Sequence, residues 1–352
     1  MESVPDRALT ETEPEEKISD SPANSPSEEQ TSEEQASGEQ NDRAPVVQVW
    51  ELKKAYRTGF WFDRVIESLK SISLTVYEGE TFGLLGLNGA GKTTFLKILL
   101  GLVRRTSGRG TLLGKPIGDR ATRARIGYLP ENPYFYDYLT AWEFLQHAAD
   151  LFGIAKSVQK QRIPELLEWV ELDSHTAKKK PMRQYSKGML QRAGMAQALI
   201  NNPDVLFLDE PMSGLDPIGR YRVREIIRSL KNHGKTIFFN SHILADVEQI
   251  CDRVAILDRG ELRCTGTLEE LLGSGDRYRI EGKGSSAKEL EPYLNNLEFG
   301  QAGWQGELEG DPRAFLAQLE AIDAKIINMN LARPSLEEFF LQTVRKQSPI
   351  TS

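Results

Sequence analysis

The segment Gly86-Leu87-Asn88-Gly89-Ala90-Gly91-Lys92-Thr93-Thr94 contains G-x-x-x-x-G-K-[ST], a spacing suited to holding phosphate. Glycines let backbone N–H groups turn inward around phosphate oxygens, and a helix starting at Lys92 aims its partial positive charge at the same anion. Lys92 adds a point charge for the β- and γ-phosphates of a nucleotide, and the Thr93 hydroxyl is a ligand for Mg²⁺. A metal and an attacking water also need acidic groups. Val205-Leu206-Phe207-Leu208-Asp209-Glu210 supplies them at the end of an apolar run. Asp209 is placed to hold Mg²⁺ through water, and Glu210, one residue on, points differently and is placed to act as general base.

The text around these residues must position them. TFGLLGL, before the glycines, is a continuous apolar run, as expected of a strand covered on both faces, and KTTFLKILL after them reads as a helix ending at Gly101. DVLFLD and TIFFNS are further short buried runs, separated by a helix whose start is marked by Asp216 and Pro217. VVQVWELKKAY and SISLTVYEGE instead alternate apolar and polar residues, which suits a half-solvated antiparallel edge. From Thr140 to about residue 201 the pattern is helical, opening with Thr140-Ala141-Trp142-Glu143 as a capping box. The expected core is α/β with a helical insertion.

Gly273 to Asp276 reads as a linker, and beyond it RYRIEG, WQGELEG, PRAFLAQLEAI, KIINMNL and SLEEFFLQTV predict a small α+β unit. It contains no phosphate loop or catalytic cluster. At the other end, residues 1–45 carry thirteen Asp/Glu against three Lys/Arg, a net −10 of the chain's −7, which leaves the body at +3. That tail, rich in Glu, Ser, Pro and Gln, is expected to be disordered and lacks the basic start and apolar core of a secretory signal. No run approaches the roughly 18 apolar residues that span a bilayer. Cys251 and Cys264 have no metal-ligand spacing and are expected to be reduced.

Between the phosphate loop and Asp209 lies Tyr185-Ser186-Lys187-Gly188-Met189-Leu190-Gln191-Arg192, which resembles the LSGGQ signature of ATP-binding cassette (ABC) ATPases. Ser186 and Gly188 match; Tyr185, Lys187 and Met189 depart from the pattern. The same serine also reads as an ordinary helix N-cap. Ser213-Gly214-Leu215-Asp216 looks like the family's D-loop, His242 like its switch histidine, and Tyr56 like the aromatic that stacks on adenine, although Gly59-Phe60-Trp61-Phe62 lengthens that region. His147, His175 and His233 have no such setting and read as surface or packing residues. Glu131, in Ile126-Gly127-Tyr128-Leu129-Pro130-Glu131-Asn132, stands where the family's Q-loop usually has Gln. A carboxylate also ligates Mg²⁺, while adding negative charge beside phosphate.

The resemblance implies ATP as substrate, Mg²⁺ as cofactor, and a P-loop NTPase core with an antiparallel β subdomain and a helical signature subdomain. These would occupy residues 46–272, with the helical part at about 132–202 and a C-terminal α+β accessory domain at 276–346. It also implies a dimer, expected to be a homodimer, in which Ser186 of one subunit completes the ATP site of the other. The order of RIGYLPENP, YSKGM and PSLEEFF resembles the ATPase subunits of type-2 ABC exporters, which act on the cytoplasmic face of the cell membrane with a separate multi-span permease. Tyr134-Phe135-Tyr136-Asp137-Tyr138 would then form either a groove for a permease helix or part of the core. The alternative is a soluble ABC ATPase working on nucleic acid or ribosomes. A body of +3 offers little basic surface for phosphate backbone, and no nucleic acid partner is expected.

Overall fold

The computed structural model describes residues 43–58, 64–273, 277–300, 303–319, 321–332 and 334–345. The acidic tail up to Asp42, the Gly59–Phe62 insertion and most of the predicted linker therefore lie outside the described residues.

Apolar runs build the central sheet. Strands β3 (Thr81–Leu85), β6 (Ile126–Leu129), β7 (Val205–Asp209), β8 (Thr236–Ser241), β9 (Arg253–Asp258) and β10 (Glu261–Thr267) lie in the order β10-β9-β3-β8-β7-β6. All neighbours are parallel except β10, which turns back antiparallel on β9. Successive side chains point to opposite faces, and here both faces are covered. Along β7, Val205 and Phe207 enter one core while Leu206 and Leu208 enter another; along β8, Phe238 and the pair Ile237 and Phe239 divide in the same way. Absence of polar alternation in VLFLD and TIFFNS follows from this two-sided burial.

One face carries helix α1 (Lys92–Leu99) and a second, antiparallel sheet ordered β2-β1-β4-β5. Its members are β1 (Pro45–Thr58), β2 (Arg64–Tyr77), β4 (Ser107–Leu112) and β5 (Lys115–Pro116). Val47, Val49 and Leu52 of β1 turn inward with Leu69, Ile72 and Leu74 of β2, so alternation predicts the buried side of this sheet. The other face carries α2 (Ala141–Leu151), α3 (Lys156–Trp169), α4 (Ser174–Lys179), α5 (Lys187–Ala198), α6 (Pro217–Asn232) and α7 (Leu244–Ile250). The predicted capping box forms at Thr140 and Glu143, and Asp216 caps α6 by accepting from the Gly219 amide. A short helix, α8 (Leu268–Leu272), follows the sheet.

Beyond it come β11 (Arg277–Gly284), α9 (Ala287–Leu290), β12 (Asn295–Gly300), β13 (Gly303–Glu309), α10 (Pro312–Gln318) and β14 (Ala324–Leu331). Sheet order β12-β13-β11-β14, antiparallel throughout, makes this β-α-β-β-α-β unit ferredoxin-like. Ile280, Trp304 and Phe315 fill its own small core. The last helix, α11 (Leu336–Arg345), does not join that core. Leu336 and Phe340 are buried instead with Val247, Ile250 and Leu272 of the main domain. The expected fold class, a P-loop core with an antiparallel β subdomain, a helical subdomain and a small C-terminal α+β domain, is the one observed.

Candidate functional site

The loop between β3 and α1 is shaped by glycines with different duties. Gly89 (φ 82°) and Gly91 (φ 108°) adopt the left-handed region that side chains resist. Gly86 is there for packing, since a Cβ on it would stand 2.3 Å from the Leu257 carbonyl oxygen of β9. Its own carbonyl accepts a hydrogen bond from Lys92 Nζ at 2.6 Å. Lys92 is buried, and its ammonium also lies 3.6 Å from Glu210 Oε1.

Parallel pairing of β7 with β8 brings the second half of the site to the same edge. Asp209, the last residue of β7, accepts a hydrogen bond from Asn240 Nδ2 at 3.1 Å. Burial pushes its carboxyl above the usual range, Asn240 pulls it back in part, and the negative charges of Glu210 and Glu131 push it further up. Glu210 has φ 51°, a left-handed conformation that costs energy for a residue with a Cβ and occurs mainly at functional positions. That turn sends its carboxylate across to β8, where Oε2 lies 2.7 Å from His242 Nδ1. Glu210 is thus buried between Lys92 and His242, residues separated by 150 positions in the chain.

One cleft of about 440 Å³ is lined by residues 87–94 together with Ser68, Glu131, Glu210, Ser213 and His242. Of the expected nucleotide-site residues, Leu87, Asn88, Gly89, Ala90, Gly91, Lys92, Thr93, Thr94 and Glu131 come together here. Gly86 sits beneath the loop, and Asp209 is buried behind it. Tyr56 lies on β1 with Lys54 Nζ 4.5 Å above its ring and is not among the residues lining this cleft. Ser68 escaped the sequence reading because nothing local distinguishes it. Its Oγ donates to Thr94 Oγ1 at 3.0 Å, a contact made by β2 crossing over α1.

Ser186, Gly188 and Asp216 line a different hollow with Lys187, Arg192 and Arg222. Ser186 caps α5, accepting from the Met189 amide at 3.3 Å. Among the described residues the two clefts share no lining residue. The aromatic cluster divides: Phe135 packs edge-on against Phe144 in the core, while Tyr134, Tyr136 and Tyr138 are exposed.

Mg²⁺ fits this donor set only in company. No group of three or more His, Cys, Asp or Glu among the described residues is arranged to hold a metal by itself. The Asp209 carboxyl is raised chiefly by burial and further by the charges of Glu210 and Glu131; a cation would offset both effects, and phosphate oxygens would complete its shell with Thr93.

A glycine-rich loop after β3 of a parallel sheet, with Asp209 and Glu210 at the end of β7 and β8 lying between the two strands, defines a P-loop NTPase. The Ser186-capped start of α5 lines a second hollow that shares no lining residue with that cradle. Residues 69–213 match the ABC transporter family. The chain is 61% identical over 310 residues to the uncharacterized ABC transporter ATP-binding protein sll0415 of Synechocystis sp., covering 88% of each chain. It is 34% identical to Nod factor export ATP-binding protein I of Cupriavidus metallidurans, covering 86% of this chain and 98% of that one. Among solved structures it resembles the dimeric, post-hydrolysis ATP-binding cassette MJ0796 bound to ADP and Pi. That likeness has a TM-score of 0.57 at 26% identity and covers 63% of this chain and 98% of the other. The chain belongs to the ABC transporter ATP-binding proteins.

Proposed function

We propose that two copies of this chain close on two ATP molecules, hydrolyse them, and thereby drive a separate membrane-spanning partner that exports its cargo. The observation that carries the proposal is the separation of the phosphate cradle from the Ser186 helix end on one chain. A second copy brings the donors of one to the γ-phosphate held by the other. In this reading Lys92 and the loop amides hold the phosphates, and Ser186 with the backbone at Gly188 caps the γ-phosphate from across the interface. Thr93, Asp209 and Glu131 would hold Mg²⁺, which would supply positive charge to the phosphates.

Glu210 takes a proton from water as the water oxygen bonds to the γ-phosphorus and the bond to the bridging oxygen of ADP breaks. His242, 2.7 Å from Oε2, holds the carboxylate in the orientation that this proton transfer needs. Tyr56 serves the adenine and Asp216 the subunit interface. The partner's cytoplasmic helix docks on the apolar cleft lined by Leu100, Leu102, Ile126, Tyr128 and Phe152, where Leu102 and Phe152 are exposed. No helix among the described residues is long and apolar enough to cross a membrane, so attachment to the cytoplasmic face runs through that partner. Domain limits at 46–272 and 276–346 belong to the same proposal, with α11 returning to the first domain. Export as the direction draws on the relative named for Nod factor export.

Glu210→Gln tests the proposal. This variant should bind ATP, accumulate as a dimer in size-exclusion chromatography with ATP, and turn over about 10²–10⁴-fold more slowly, the usual contribution of a general base. Rapid turnover by the variant, or a monomer at saturating ATP, would refute it.

A further inference from the structure

His242 stands between β8, which ends at Ser241, and α7; its amide donates to Glu210 Oε2 at 3.4 Å, and the Ile243 amide donates to Ser241 Oγ at 2.9 Å. Only Ile243 separates it from α7, and the start of α7 is weakly fastened. Ile243 provides no side-chain cap, and the first helical hydrogen bond, from the Val247 amide to the Ile243 carbonyl, is 3.4 Å. What fixes α7 lies behind it. Asp246 is buried and ion-paired with Arg224 of α6. Val247 and Ile250 are buried in the same core as Leu336 and Phe340 of α11. Glu248 Oε2 accepts a hydrogen bond from the Leu336 amide at 3.2 Å, at the end of α11 where backbone N–H groups lack helical partners and the helix dipole favours an anion. Ser335 and Glu338 bond reciprocally around the same end, Glu338 accepting from the Ser335 amide and Ser335 from the Glu338 amide.

We infer that α11 and Glu248 position His242: α11, by gripping α7, sets the alignment of His242 on the Glu210 carboxylate and so sets the rate of hydrolysis. The inference rests on the assignment of Glu210 and His242 proposed above. Alignment is the sensitive quantity, because a 2.7 Å contact tolerates a few tenths of an ångström while misplacement by about 1 Å costs on the order of 10²-fold in rate. Nucleotide affinity should change little, since of the residues lining the cleft only His242 is moved and residues 87–94 keep their places.

Glu248 is therefore a positioning residue, and a test must separate that role from general damage to the fold. In the full-length chain, Glu248→Ala should lower kcat for ATP about tenfold and leave KM within about twofold, and Glu248→Gln, whose amide oxygen still accepts from Leu336, should recover most of the rate. The distinguishing arm repeats Glu248→Ala in a His242→Ala background. If Glu248 acts through His242, the second substitution changes the residual rate less than about twofold, because residues acting as one unit are not additive. A full tenfold loss in that background, or an unchanged kcat in the single variant, overturns the inference. Failure of the wild-type chain to hydrolyse ATP with its membrane partner present would instead overturn the proposed function.

Discussion

Gly86→Ala isolates what the first glycine of the phosphate loop does. The added Cβ would stand 2.3 Å from the Leu257 carbonyl oxygen and 3.0 Å from Ala90 Cβ. Carbon–oxygen contacts in proteins settle near 3.3–3.6 Å, so the loop or β9 must yield by about 1 Å. The oxygen belongs to a strand paired on both sides, with β3 and β10, so the loop is the softer partner. Overpacking of this kind costs about 1–3 kcal/mol. Moving the Gly86 carbonyl also breaks its 2.6 Å bond to the Lys92 ammonium, a bond to a charged group worth about 1.5–3 kcal/mol. With partial relaxation we expect a loss of about 2–4 kcal/mol, or about 3–6 °C in thermal midpoint, together with at least tenfold weaker binding of a fluorescent ATP analogue. Gly89→Ala serves as the contrast. Its Cβ meets nothing within 4 Å, so only its φ of 82° resists, at about 1–2 kcal/mol. Equal melting and ATP affinity of Gly86→Ala and wild type would refute the assignment of Gly86 as a packing glycine that fixes Lys92.

Two further outcomes follow from the same geometry. Ser186→Ala removes the N-cap of α5 and should cost about 1 kcal/mol in thermal unfolding, while ATP-dependent dimerisation and hydrolysis fall far more steeply and ATP binding to the isolated subunit is retained. Asp209 is held above its ordinary pKa chiefly by burial, so the folded chain binds its proton more tightly than the unfolded chain does. Its contribution to stability is then present at low pH and lost as pH rises above the ordinary carboxylate value of 3.8 through the raised folded value. Asp209→Asn should accordingly melt higher than wild type at pH 7, the difference shrinking toward pH 4 in a pH series of melting curves, while ATPase activity is lost.

The placement of the candidate site was legible where it is local. A phosphate loop is contiguous, and its flanking strand and helix announce themselves by burial and periodicity; the same holds for Asp209 and Glu210 at the end of VLFLD and for the capping box at Thr140. Contacts made by topology were not. That Glu210 pairs with His242, and that Ser68 reaches Thr94, depends on which strands lie side by side. Strand β12 escaped because NNLEFG is mostly exposed and shows no apolar alternation, its place being set by pairing with β13. SLEEFFLQTV was readable as a helix, but its pattern gives only the width of an apolar stripe and not the surface that covers it, which proved to be α7 and α8 rather than the sheet beside it.

This placement of α11 also bears on how the chain is made. Residues up to Leu272 contain the entire parallel sheet, yet the pocket lined by Val247, Ile250 and Leu272 is filled only when Leu336 and Phe340 arrive, roughly 64 positions later. At typical synthesis rates of about 5–20 residues per second the ribosome needs roughly 3–13 s to supply them. During that interval the nascent cassette shows an uncovered apolar surface to chaperones and proteases. A chain cut before Leu336 keeps that surface bare, and should bind an apolar dye more strongly and melt at a lower temperature than the chain that carries α11.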